Sequence, residues 1–189
     1  MSVEQHSTID EERYRELASF AASRNLDRGP DDPALRDVAE RALCHEARLL
    51  DDRQYRQWLG RFAADALYWV PIDPDSDPRT EVSFMLDDRR RLEDRIALLE
   101  TGWTHSQQPV SSVCRQVSNV AAWPLEPDTT EVAVRCSVVA WEYRRDAVTP
   151  FVSRNDYILR DLEGDWTIAR KIVSLVNSRG DVRKFPFIL

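Results

Sequence analysis

The chain is poor in the residues that most often carry chemistry. Of its 189 residues only three are cysteine, three histidine and five glycine. Three scattered cysteines, an odd number, make no disulfide framework and point to a reducing compartment, the cytoplasm. Gly29, Gly60, Gly102, Gly164 and Gly180 are isolated from one another, so no glycine-rich loop can cradle a phosphate. No Gly-x-Ser-x-Gly elbow occurs. His6, His45 and His105 lie far apart, whereas a non-haem iron site needs two histidines and a carboxylate around one open position. A mixed-ligand iron–sulfur cluster needs two Cys/His pairs, but Cys44-His45 is a single pair while Cys114 and Cys136 stand alone. His45-Glu46 does not begin an HExxH zinc motif, because Leu49 fills the second histidine position.

Other shortages narrow the class further. No apolar run approaches the roughly 20 residues of a membrane span, and the start, MSVEQHSTIDEERYRELASF, lacks a secretory layout. Basic residues are outnumbered, 26 against 33 acids, giving a net charge of -7. That excludes a general nucleic-acid binder, whose phosphate contacts need a basic face.

What is present is a soluble domain's material, including six tryptophans, five tyrosines and six phenylalanines for a core or interface. Residues 10–24 are expected to form a short helix before the breaker Asp27-Arg28-Gly29-Pro30-Asp31-Asp32-Pro33. Residues 1–33 therefore read as an extension or arm, and residues 34–189 as one domain. A helix is predicted from Ala34 to Leu50, with Leu35, Val38, Ala42, Leu43 and Leu49 on one stripe. A short helix over 52–62 follows, then a strand at Ala66–Ile72 that Pro71 confines to an edge or end position. A short strand near Glu81–Met85 leads into a further helix with Asp87 as its expected N-cap, ending at Thr101-Gly102. Beyond Gly102 the period changes from 3.6 to 2. Strands are predicted over Val110–Ala122, around Val132–Ala140, along Phe151–Leu159 and over Trp166–Asn177, with Glu163-Gly164-Asp165 as a tight turn. Helices followed by long antiparallel strands give an α+β fold.

Three constellations invite a catalytic reading. Asp87-Asp88 beside Arg89-Arg90-Arg91 has the makings of an acid–base pair, but helix capping and solvated pairs such as Arg90–Asp94 account for it. His105 near Trp103 has the makings of a general base, against the commoner surface or satisfied core histidine. Arg154, Asp156 and Arg170 suit a buried ion network or, more cheaply, the outward face of a sheet. The residues thus assign no catalytic, cofactor-binding or metal-ligating position to this chain.

Five segments in order carry a resemblance. They are EARLLDDRQYRQWLGRFAADALYWVP (46–71); Asp87-Asp88-Arg89 with Leu92-Glu93-Asp94-Arg95; Gln116-Val117-Ser118-Asn119-Val120; Asp165-Trp166-Thr167-Ile168-Ala169-Arg170-Lys171; and Leu175-Val176-Asn177. Together they resemble the small (beta) subunit of the Rieske non-haem iron aromatic-ring-hydroxylating dioxygenases, over most of residues 34–189. The stretch Pro109–Arg115 departs from the family, keeping Pro109, Ser111 and Arg115 but losing intermediate basic positions. The resemblance implies a cone-shaped, nuclear-transport-factor-like fold, with three helices packed on a strongly curved, mainly antiparallel sheet of about six strands. It implies a structural role without an active site in this chain. The partner is a large (alpha) subunit bearing the Rieske [2Fe-2S] cluster and mononuclear iron, most often as three large plus three small chains, the small chains forming a trimer. Electrons from NAD(P)H would come through a reductase or ferredoxin, and the reaction would add O₂ to an aromatic ring as a cis-dihydrodiol.

Two other readings remain open at this point. The same cone hosts stand-alone dehydratases and isomerases, for which His105, Tyr157 and Asp156 would be the acid–base set. It also hosts non-catalytic ligand-binding modules.

Overall fold

The computed structural model describes residues 9–24, 28–101, 110–125, 130–162, 164–180 and 188. Two N-terminal helices begin at aspartate caps. Helix α1 (Glu11–Ser23) starts at Asp10, whose carboxylate accepts the Arg13 amide at 2.9 Å. Helix α2 (Pro33–Asp51) starts at Asp32, which accepts from the Ala34 and Leu35 amides, with Pro33 where a missing N–H costs nothing. Helices α3 (Tyr55–Gly60) and α4 (Arg89–Glu100) are shorter.

The strands are β1 (Phe62–Pro71), β2 (Ser83–Asp88), β3 (Ser112–Pro124), β4 (Glu131–Arg144), β5 (Ala147–Arg160) and β6 (Thr167–Leu175). They form one open sheet in the order β2-β1-β6-β5-β4-β3, antiparallel throughout except for the parallel β1–β6 pair. A register shift between Ser118 and Ala121, with Asn119 at φ 52°, marks a bulge of the kind that bends a strand and curls its sheet. This is the α+β cone that the sequence implied.

Strand alternation assigns the two faces. Ala66, Tyr68 and Val70 of β1, Val134 and Cys136 of β4, and Tyr157 and Leu159 of β5 point inward to the main core. There they meet Ala42, Leu43 and Leu49 of α2, Trp58 of α3, and Leu92 and Ile96 of α4. Trp58 stacks edge-on against Phe62, with ring centroids 4.6 Å apart.

Part of the outer face is covered as well. Leu67 and Trp69 of β1 and Ile172 of β6 pack against Ile9, Leu17, Phe20 and Ala21. The helix expected in the N-terminal extension is therefore docked on the sheet. Arg13 reinforces it by donating to the carbonyls of Asp65 and Ala66 at 3.0 and 3.1 Å. Burial on both faces explains why β1 reads as a continuous apolar run rather than an alternating one.

Two expectations need correction. The N-cap of α4 is Asp88, which accepts the Arg91 amide at 2.8 Å. Asp87 instead lies within β2, pairs across with Tyr68, and gives its carboxylate to Arg95. Strand β1 begins at Phe62, earlier than Ala66, because the small residues Ala63 and Ala64 hide its start from a hydrophobicity reading. Pro71 sits at the strand's end, just past a register shift, which is one of the two positions expected of it, and the strand is interior to the sheet. Gly102 and Glu163, expected at the end of α4 and in a turn, lie outside the described residues.

Candidate functional site

Inside the cone lies a polar cluster built from four elements. Glu46 of α2 stands in phase with the apolar stripe of its helix, so its carboxylate points inward and is 3% exposed. Its Oε1 accepts from Trp58 Nε1 of α3 at 3.0 Å and from Lys171 Nζ of β6 at 2.8 Å. Its Oε2 accepts from the Tyr157 hydroxyl of β5 at 3.1 Å. Asn155 Nδ2 donates to the same hydroxyl, and Ser153 donates to Asn155 Oδ1, extending the chain along β5. The Lys171 ammonium also lies 5.1–5.9 Å from the ring centroids of Tyr68, Tyr157 and Trp58.

Burial dominates the electrostatics of this cluster. Burial lowers the Lys171 ammonium from its ordinary value, and Glu46 opposes the shift. Burial, then the Glu46 charge, drives the Tyr157 phenol well above its usual range, and Tyr68 rises for the same reasons. Burial likewise raises the Cys136 thiol, leaving it an inert core group. The free space beside these groups, between Leu43, Glu46, Arg115 and Cys136, is about 20 Å³. That is room for a water molecule rather than for an organic substrate.

A second cluster occupies the outer face. Asp156 of β5 receives Arg135 Nε at 2.8 Å and faces Arg24 at 3.8 Å. Arg24 donates to the Ala21 carbonyl, to Ser174 Oγ and to the Pro74 carbonyl at 2.9, 2.9 and 2.7 Å. Burial lowers its pKa, against the pull of Asp156. Nearby, Arg170 pairs with Glu16 of α1 at 2.6 Å and with Asp65 of β1 at 3.6 Å.

The residues singled out in the sequence are thereby placed. Asp156 and Arg170 do face outward, as expected of alternating sheet positions, but they are 4% and 6% exposed and held in ion pairs. Arg154 is exposed. Arg90 and Asp94 form an exposed i, i+4 pair at 3.2 Å. Asp87 is buried, which raises its carboxyl despite Arg95. His45 packs edge-on against Trp166, its imidazole pushed down by burial and then by Arg61 and Arg48. His6, Trp103 and His105 lie outside the described residues. Within the altered 109–115 stretch, Ser111 donates to buried Glu142, and Arg115 is locked to Asp51 through both main chain and side chain. Ser111 and Arg115 thus make their contacts within the chain, and Pro109 lies outside the described residues.

Glu46 and Lys171 were not singled out from the sequence. The signal was available: Lys171 shares its strand face with Val173 and Leu175, and Glu46 falls between Leu43 and Leu49 on a buried stripe. Among the described residues no three His, Cys, Asp or Glu side chains come close enough to share a metal ion.

The profile of the family described as "Ring hydroxylating beta subunit" matches residues 45–180. The chain belongs to that family. It is 30% identical over 141 residues to the 2-halobenzoate 1,2-dioxygenase small subunit of Burkholderia cepacia, covering 71% of this chain and 84% of that one. Its fold is similar to the beta subunit of benzoate 1,2-dioxygenase from Burkholderia mallei, with a TM-score of 0.63 at 22% identity, covering 97% and 100% of the two chains. It is also similar to an NTF2-like protein with a cystatin-like fold from Novosphingobium aromaticivorans, with a TM-score of 0.53 at 17% identity over 90% and 93%. The protein is thus a small subunit of the aromatic ring-hydroxylating dioxygenase kind, part of an oxidoreductase system. No helix among its described residues is long and apolar enough to cross a membrane.

Proposed function

We propose that this beta subunit is a structural, non-catalytic component of a cytoplasmic aromatic-ring dioxygenase. It assembles with a large subunit that carries the Rieske cluster and the mononuclear iron, as three large plus three small chains. The holoenzyme uses electrons from NAD(P)H, through a reductase or ferredoxin, to convert an aromatic ring to a cis-dihydrodiol. The 2-halobenzoate dioxygenase relative makes an aromatic acid the first substrate to try.

The observation that carries this reading is the mutually satisfied polar cluster that occupies the interior among the described residues. A cone-fold enzyme would hold substrate where Glu46, Lys171, Tyr157 and Trp58 here satisfy one another around about 20 Å³ of space. Two members of the competing acid–base set also part company: Tyr157 points into the core while its neighbour Asp156 points to the outer face, so one substrate cannot meet both.

Native mass spectrometry with iron analysis, on the chain purified from its own cells, tests the proposal. Co-purification with a larger, iron-bearing chain in equal copy number is the expected result. An iron-free homo-oligomer would overturn it.

A further inference from the structure

The outer face of the sheet holds a cleft of about 470 Å³, within the range of small-molecule sites, bounded by β4, β5, β6 and the Pro74-Asp75 turn. Its floor is a cross-strand row in which Arg154 of β5 stands directly between Ser137 of β4 and Ser174 of β6. The donors of this row are unspent. Ser174 Oγ accepts from Arg24, and Ser137 Oγ accepts from Asn119 Nδ2 at 3.3 Å, so each hydroxyl proton remains available to a ligand. Arg154 is exposed and has no carboxylate within ion-pair distance among the described residues. The nearby carboxylates are already engaged, Asp156 by Arg135 and Arg24, and Asp75 by Arg179 at 3.1 Å. Four arginines and two aspartates line the cleft, and Asp73 beside it also holds Arg179 at 2.6 Å, which leaves Arg154 as the lining arginine without a carboxylate partner among the described residues.

Part of the remaining wall is apolar, beside Ser153 and Ser178. Val152 and Pro74 line the same cleft, together with Val176, which is 72% exposed. A guanidinium flanked by two hydroxyl donors suits an oxyanion, and Arg is well matched to a carboxylate in particular. The adjoining apolar wall suits a ligand whose charged end carries a hydrophobic body.

We infer that this cleft binds a small organic acid, its carboxylate on Arg154, Ser137 and Ser174 and its apolar body against Val152 and Val176. The site lies on the sheet face opposite the Glu46–Lys171 cluster.

Benzoate is the probe, titrated into the full chain at fixed ionic strength by calorimetry and saturation-transfer NMR, with acetate and inorganic phosphate alongside. Saturable benzoate binding is expected, tighter than that of either control and weakened at least about tenfold by Arg154→Ala. Val176→Ser is expected to weaken benzoate but leave phosphate unchanged. Because Arg154 is exposed, its variant should retain the wild-type unfolding midpoint, which separates a lost contact from a lost fold. Absence of saturable binding, or binding indifferent to Arg154→Ala, would overturn the site. Equal affinity for all three anions would overturn the organic-acid assignment.

Discussion

Lys171 and Glu46 meet at 2.8 Å inside the cone, their side chains 2% and 4% exposed. A buried pair gains little over apolar packing, but either charge left alone is costly, because nothing nearby replaces water. Lys171→Ala is expected to destabilise the chain by about 3–5 kcal/mol. The double change Glu46→Gln with Lys171→Met removes both charges and keeps an acceptor for Trp58 and Tyr157. Urea unfolding should show it recovering most of the loss, and a double variant as unstable as Lys171→Ala would refute this account.

The same cluster separates structural from catalytic roles. Tyr157→Phe deletes the hydroxyl that reaches Glu46 and Asn155 but keeps the ring. In the assembled dioxygenase, turnover per complex is expected to stay within about twofold of wild type, and His105→Ala should behave alike. A general acid or base would lose about 10²–10⁴-fold, so a fall of that size in intact complex would end the structural assignment.

Asp65 sets an acid limb to stability. Burial tends to raise its carboxyl, but the Arg160 hydrogen bond and the charges of Arg160 and Arg170 outweigh that and hold it below its ordinary 3.8. A depressed folded-state pKa means the unfolded chain binds the proton first. The contribution is therefore present above the unfolded value and lost as pH falls through the folded one. Urea midpoints for wild type and Asp65→Asn should differ at neutral pH and converge over about pH 5 to 2. A constant difference across that range would contradict the assignment.

Asp88 caps α4 from the last position of β2. Asp88→Ala is expected to cost about 1 kcal/mol, and Asp88→Asn much less, since Asn still accepts the Arg91 amide. Thermal unfolding of the two variants checks the order, and equal losses would remove the capping explanation.

Helix α1 rests on Leu67, Trp69 and Ile172 through Leu17, which is fully buried. We expect Leu17→Ala to cost about 2–5 kcal/mol and to speed proteolysis between α1 and α2. An unchanged unfolding midpoint would return this segment to the status of a detachable arm.

Much of this was legible in the residues. The stripe of α2 and the change to period 2 after Gly102 announce α+β architecture, since each period leaves one face to bury. Boundaries were less legible where side chains are small or acidic. Ala63 and Ala64 conceal the start of β1, and adjacent Asp87 and Asp88 offer two caps of which backbone geometry chooses one.

The sequence by itself determined the family, the class of fold and the scarcity of metal-binding side chains, because these follow from composition, periodicity and motif order. Only tertiary structure decided which polar residues belong together. Glu46 and Lys171 are 125 residues apart, and Arg24 and Ser174 are 150 apart. Such pairs leave no local pattern, because their partners are chosen when the sheet curls and the helices close on it. Sheet alternation also decided that neighbours Asp156 and Tyr157 serve different faces: the first joins the arginines outside, the second the core within.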